Sequence, residues 1–290
     1  MMIKINIKIM SAISLILLIS ACSIAGSWAF GKLDSYLNDY FFTFADFSET
    51  QKKEIETVTE NFKYWLVKEQ LTEIKLLLSK VKSLDSSSTE AEINSIYEEG
   101  SIIVKSVTSY FDSELVKFSL SLDEKQINEI ENHFLELQEK RKKEDEDREK
   151  ETHQERLQKN YISGFKRIGI KLNNEQTTAL TASVKGIVDN GDEWDQLQAK
   201  WTQEMISILR SNKKESFKEE MNSHLVTLFD LGPSSFRKKV ERNQIISIKA
   251  VTKVVNSMDD GQFKKMRKRI SVYIRSVDKI LKNQNQEEAA

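Results

Sequence analysis

Cysteine occurs once in the 290 residues, at Cys22, and proline once, at Pro233. A lone cysteine excludes an intrachain disulfide and any zinc site built on cysteines. One proline and nine glycines are too few turn formers for a sandwich or barrel of many short strands. There are three histidines, and no Gly-x-Ser-x-Gly, His-Glu-x-x-His or phosphate-binding glycine loop. The common catalytic motifs therefore lack their residues. What abounds is charge: 44 Lys and Arg against 45 Asp and Glu, or 31% of the chain, beside 39% hydrophobic residues. That apolar share suffices for helical stripes. The expected fold is all-α: an elongated multi-helix bundle with long charged helices, either packed together or extended as an arm.

The N-terminus carries an address. Lys4 and Lys8 form a positive segment, and Ile9 to Ile19 is an apolar run too short to span a bilayer comfortably. Ile19-Ser20-Ala21-Cys22 follows, a branched apolar residue, two small residues and a cysteine. This is the lipobox pattern of bacterial lipoproteins. Small residues admit a peptidase to the bond before Cys22, the thiol takes a diacylglycerol, and the freed amine is acylated in turn. Each buried CH₂ contributes roughly 0.8 kcal/mol, so several chains anchor stably. The expected cofactor list is empty apart from this covalent lipid. By sorting-rule analogy, Ser23 after the cysteine points to an outer-membrane anchor facing the periplasm, with the inner membrane as the alternative.

The organisation expected is a signal peptide over 1–21, a lipidated aromatic segment over 22–47, a helical domain over 48–230, and a basic helical pair over 231–290 packed on the same domain. A long helix is expected from about Ser48 to Ser83, with Ile55, Val58, Phe62, Trp65 and Leu66 at steps of three to four. Thr89 with Glu92 predicts a capping box opening a helix to about Phe118. A very long helix is expected from Asp123 through Glu139–Glu151, thirteen consecutive charged residues. Their repeated i,i+4 opposite charges suit a helix solvated on all sides. Shorter helices follow: Asn173 to Asp189, then one capped by Asp192 after a break at Asn190-Gly191. After a stop at Leu231-Gly232-Pro233 come Ser234 to Ser257 and Asp259 to Asn283.

Four helix starts share one phrase: an apolar residue, a cap former, two others, then Gln. They are Phe47-Ser48…Gln51, Leu122-Asp123…Gln126, Leu172-Asn173…Gln176 and Met258-Asp259…Gln262. The cap side chain accepts from the N3 amide, and Gln at N3 reaches back to the cap N–H. The phrase loosely resembles the Leu-Thr-x-x-Gln signature of the periplasmic chaperones and stress regulators of the Spy and CpxP type, although no copy here is Leu-Thr. A wider resemblance is to a domain-of-unknown-function family of proteobacterial lipoproteins. It rests on the lipobox, Asp39-Tyr40, Ala45-Asp46-Phe47 leading to Gln51, Trp65 and Leu71, the Leu122–Glu151 segment, Glu155-Arg156-Leu157 and Leu172–Gln176. That family often has Pro and Tyr after the Trp, where this chain has Thr72 and Ile74. The resemblance implies an all-helical envelope lipoprotein and supplies no reaction.

His133, His153 and His224 each follow a glutamate by four residues (Glu129, Glu149, Glu220). A helix-face ion pair accounts for that spacing as well as a metal would, so no metal is expected, and no catalytic residue, small-molecule substrate or nucleic-acid partner. Charge is uneven: from Asp230 to Ala290 there are 14 basic and 7 acidic residues, +7, leaving −8 for residues 1 to 229. In the last helix Lys264, Lys265, Lys268, Arg275, Lys279 and Lys282 lie largely off the apolar stripe. They form either a solvated face or a basic element for an acidic protein or anionic lipid. The aromatic stretch with Trp28, Tyr36, Tyr40 and Phe42 either packs inward or serves as a membrane or partner surface. The function expected is a non-enzymatic lipid-anchored adaptor or scaffold binding another envelope protein, or alternatively a chaperone or envelope-stress modulator.

Overall fold

The computed structural model describes residues 30–146 and 151–287; Cys22, Trp28 and the signal segment lie outside these. The described chain is helical, with no strand among the described residues. α1 (Leu33–Phe42) leads to α2 (Glu49–Trp65), which runs through a π-helical turn (Leu66–Gln70) into α3 (Leu71–Ser83). Together α2, the turn and α3 form one rod of about 50 Å. Its buried face is Ile55, Thr59, Phe62, Leu66, Leu71, Ile74 and Leu78, the three-to-four step that places residues on one helix side. α4 (Glu90–Ser109), α5 (Asp112–Ser119), α6 (Glu124–Glu146), α7 (His153–Arg167) and α8 (Asn174–Val184) follow. Then come α9 (Gly191–Leu209), α10 (Phe217–Val226) with a 3₁₀ turn (Thr227–Asp230), α11 (Ser234–Asn256) and α12 (Asp260–Glu287).

The sequence reading of the rod holds, and the bundle is all-helical as expected. Three helix boundaries need correction, and one helix start is new. The helix opened by Thr89 stops at Ser109 and restarts at Asp112. The break lets two neighbouring rings, Tyr110 and Phe111, both pack on Phe62, at 5.0 and 4.6 Å between centroids. A further helix, not named in the sequence reading, follows the charged run. Thr152 starts α7, with its amide donating to Glu155 at 2.7 Å and its hydroxyl accepting from the Glu155 amide. α8 ends at Val184 rather than Asp189. Asn243 of α11, fully buried, grips the Val188 peptide instead: its Oδ1 accepts from Val188 N–H at 3.0 Å and its Nδ2 donates to Val188 O at 2.8 Å. α9 begins at Gly191, so Asp192 sits in its first turn and is not the cap. The stop at Gly232-Pro233 is as read. Gly232 takes φ +90°, and a Cβ there would meet Leu197 at 2.7 Å, so only glycine fits.

Two cores result. One collects side chains from α3, α4, α7, α8, α11 and α12, including Leu77, Ile103, Phe165, Leu180, Val254, Met266 and Val277. The other, richer in rings, joins Phe47, Leu122, Ile127, Met205, Phe217 and Met221, with Phe41, Phe42, Phe44, Phe118, Phe134 and Trp201 packed against them. The helices of the expected C-terminal pair, α11 and α12, share the first core with α3 and α4.

The four Gln-bearing starts meet in two pairs. Ser48 pairs with Asp123, and Asn173 with Asp259. In every case the Gln Oε1 accepts from its own cap amide, at 2.9–3.2 Å. The two amides of each pair then donate to each other reciprocally: Gln51 and Gln126 at 3.0 and 2.7 Å, Gln176 and Gln262 at 2.9 and 2.8 Å. Each Nε2 spends its second hydrogen on the carbonyl two residues before the partner's cap: Ser121, Asp46, Ser257 and Lys171. All four side chains are buried, at most 8% exposed. Two donors and two acceptors per amide are thereby filled, as burial requires. Glutamate at the same position would lose both donors. The two boxes that do carry Glu, at Glu92 and Glu155, stand on exposed single starts.

Candidate functional surfaces

α1 rests on the rod. Lys63 donates to Gly31 O at 3.0 Å and pairs with Asp34 at 3.2 Å, and Thr59 donates to Asn38. Burial opposes ionisation of Asp34, but Lys63 and the Ser35 amide outweigh it and hold the carboxyl below its usual range. No α1 residue is fully buried. Phe41 and Phe42 pack on the ring-rich core, while Tyr36 and Tyr40, one turn apart, stay 53% and 44% exposed. Burial of its ring raises the Tyr40 phenol and Arg141 draws it part of the way back. Of the expected aromatic surface, then, Tyr36 and Tyr40 face outward and Phe42 turns in; Trp28 lies outside the described residues. Arg141, within the charged run, donates to Gln198 of α9, so this part of α6 is tied to the bundle rather than solvated all round.

Each core borders an apolar pocket partly open to the surface. The ring-rich core holds one of about 390 Å³, lined by Phe44, Phe111, Phe118, Trp201 and Met221 with Asp112 among its wall. Burial raises the Asp112 carboxyl, partly offset by the Ser109 hydroxyl. The other core holds about 210 Å³ between Leu77, Ile96, Tyr161, Phe165 and Ile270. An apolar cavity of about 150 Å³ already accepts benzene, so either has room for a small apolar group.

The histidines do not converge. His153 places Nδ1 2.9 Å from Asp189, and His224 stacks on Trp201 at 4.6 Å with Nε2 2.9 Å from the Trp201 carbonyl. His133 lies against Phe44, centroids 4.3 Å apart, with Nε2 buried and unbonded. Glu129 turns from it to the Asp46 amide and Lys125. Among the described residues no group of three His, Cys, Asp or Glu is placed to hold a metal, and no helix is long and apolar enough to cross a membrane.

On α12, Phe263, Met266, Ile270, Tyr273 and Val277 are buried, and the expected basic residues Lys264, Lys265 and Lys268 are exposed. Lys264 and Lys268 share one face with Arg275, Lys279 and Lys282. Lys265 stands about 100° round the helix, where its carbonyl approaches Gly169 (φ +86°), whose added Cβ would sit 3.0 Å from it. What sequence reasoning missed is the pairing of helix starts and the two pockets. Only the choice of Gln over Glu at N3 signalled the former. No curated protein and no solved structure matches the chain. Residues 43–237, two thirds of the chain, match the family of unknown function DUF6279, and the chain belongs to that family.

Proposed function

We propose that this protein is a lipid-anchored, periplasm-facing envelope lipoprotein that acts without catalysis, as an adaptor or scaffold for another envelope protein. The anchor reading rests on Ile19-Ser20-Ala21-Cys22. The observation that carries the adaptor reading is the pair Tyr36 and Tyr40, half exposed on a helix close to the anchor in sequence. Tyrosine offers a partner a large ring and a hydroxyl with few rotatable bonds. The membrane test is Cys22→Ser: the variant should leave the membrane fraction or accumulate unprocessed, and flotation with membranes as before would end the anchor reading. The partner test is Tyr36→Ser with Tyr40→Ser in living cells with crosslinking. Lost crosslinks at unchanged thermal stability are expected; an unchanged crosslinking pattern overturns the adaptor surface.

One observation favours a second reading. The ring-lined pocket of about 390 Å³ beside α1 suits a client's apolar side chain, as a chaperone of the Leu-Thr-x-x-Gln type would need. Light scattering of an unfolding client with the chain from Ser23 onward decides: suppressed aggregation selects the chaperone, and none, from a well-folded domain, leaves the adaptor.

A further inference from the structure

Five cations, Lys264, Lys268, Arg275, Lys279 and Lys282, fall within an arc of about 60° on α12, along a line of about 27 Å. All five are exposed. They lie opposite the buried face formed by Met266, Ile270, Tyr273 and Val277. No acidic residue interrupts the arc: Asp260 and Asp278 stand off it, and Asp278 is taken by Lys75 at 2.6 Å. None of the five has an ion-pair partner among the described residues, although two lysines packed near α12 do. Lys75 has Asp278 and Lys80 has Glu99. Five like charges left unneutralised on one line repel each other unless an anionic surface covers them.

The fold also places this line beside the chain's route to Cys22. α12 runs antiparallel to α3: Arg267 meets Leu84, Asp278 meets Lys75, and its far end touches the π turn Leu66–Gln70. α1 runs antiparallel to α2, with Asn38 against Thr59 and Gly31 against Lys63. The last turns of α12 and the first turn of α1 therefore reach neighbouring turns of the same rod, and Phe30 packs on the core that also takes Ile274 and Leu281 of α12. Cys22 lies eight residues before Phe30, a reach of at most about 28 Å. An acyl anchor at Cys22 thus holds Lys279 and Lys282 close to its own membrane.

We propose that this line of α12 lies on the anionic phospholipid headgroups of the membrane that carries the anchor, setting the bundle side-on to that surface. The proposal rests on the lipid-anchor reading. Composition separates a membrane from an acidic protein: four of the five residues are lysine, which protein interfaces avoid, and no ring stands among them as an anchor. Delocalised attraction of lysines to a charged headgroup plane needs neither.

The experiment uses the full acylated chain, purified in detergent and reconstituted on vesicles of phosphatidylcholine alone or with roughly a third phosphatidylglycerol. Flotation is scored first. Lysine acylation is then followed residue by residue by mass spectrometry, with exposed Lys218 of the other core as reference. The expected result is flotation on both vesicles, with Lys264, Lys268, Lys279 and Lys282 acylated at least about threefold more slowly on the anionic ones, reversed by high salt. Equal acylation on both vesicles by a chain that floats on both overturns the proposal and leaves the anchor standing. Failure to float on neutral vesicles overturns the anchor, and the footprint on anionic vesicles then decides the line of cations separately. Protection in intact cells that is absent on anionic vesicles assigns the line to an acidic protein and overturns the proposal.

Discussion

The paired starts at Ser48/Asp123 and Asn173/Asp259 use the same bonds in the same places, yet they stand over different interiors. Beneath the first are rings and a pocket of about 390 Å³; beneath the second are mainly branched aliphatics and about 210 Å³. The joint is constant and the filling is not. A joint defined by four helix starts and two amides is specified by geometry, which tolerates no substitute for Gln. A core is specified by volume and apolarity, which many combinations satisfy. The difference suggests where each half is brittle: at the amide pair for both, and at the packing for whichever core is already looser.

Truncating a large, fully buried side chain in each core tests that contrast most strongly. Phe217→Ala in the ring-rich core and Met266→Ala in the other, both 0% exposed, should each cost about 2–5 kcal/mol. Urea unfolding read by tryptophan fluorescence and by far-ultraviolet circular dichroism should lose stability together if the rod α2–α3 couples the halves. Two transitions, each moved by only one of the variants, would show that the cores are independent units.

The amide pairs come next. Gln126→Glu and Gln262→Glu each remove two donors and face a carboxylate against the partner's oxygen and a backbone carbonyl, costing about 2 kcal/mol or more. The two costs should be similar, because the bonds are. A double-mutant cycle with Gln51→Ala and Gln126→Ala should show coupling of roughly 0.5–3 kcal/mol. Additive losses would mean that the reciprocal bonds contribute little beyond the caps. Removing a cap alone is gentler: Ser48→Ala and Asn173→Ala should each lower stability by about 1 kcal/mol, measured in the same denaturation series.

How much of this was legible follows from range. The helix class was readable from the want of proline and glycine and from the three-to-four step of residues such as Ile55 and Phe62. The starts were readable because a cap and its Gln are three residues apart. Their pairing was not, since Gln51 and Gln126 are 75 residues apart and Gln176 and Gln262 are 86 apart. Nothing local marks the break at Tyr110-Phe111, which carries no glycine or proline and arises from packing on Phe62. Nor does anything near Val188 announce that Asn243 will seize its peptide. Thr152 was a readable cap, hidden by the charge run before it. Among the surface candidates, the four-residue step joining Tyr36 to Tyr40 and Lys264 to Lys268 was visible. Which face turned outward depended on the rod and the core.

The smallest effect separates paired starts from single ones. The Glu155 carboxylate of the α7 box accepts from the Thr152 amide and hydroxyl, and those bonds lower its pKa from the ordinary 4.5. A carboxyl whose folded pKa is depressed contributes stability that is present above its unfolded value and is lost as pH falls through the folded one. The α7 start should therefore loosen below about pH 4.5, while the α8 box, built from Asn173 and Gln176 with no carboxyl of its own, should not. Amide hydrogen exchange at Glu155 and Arg156 should accelerate in acid relative to Gln176 and Thr177, after correction for intrinsic rates, and Glu155→Gln should remove the pH dependence. Equal acceleration at both starts would mean that acid acts on the bundle as a whole and that the exposed box is no weaker than the buried joint.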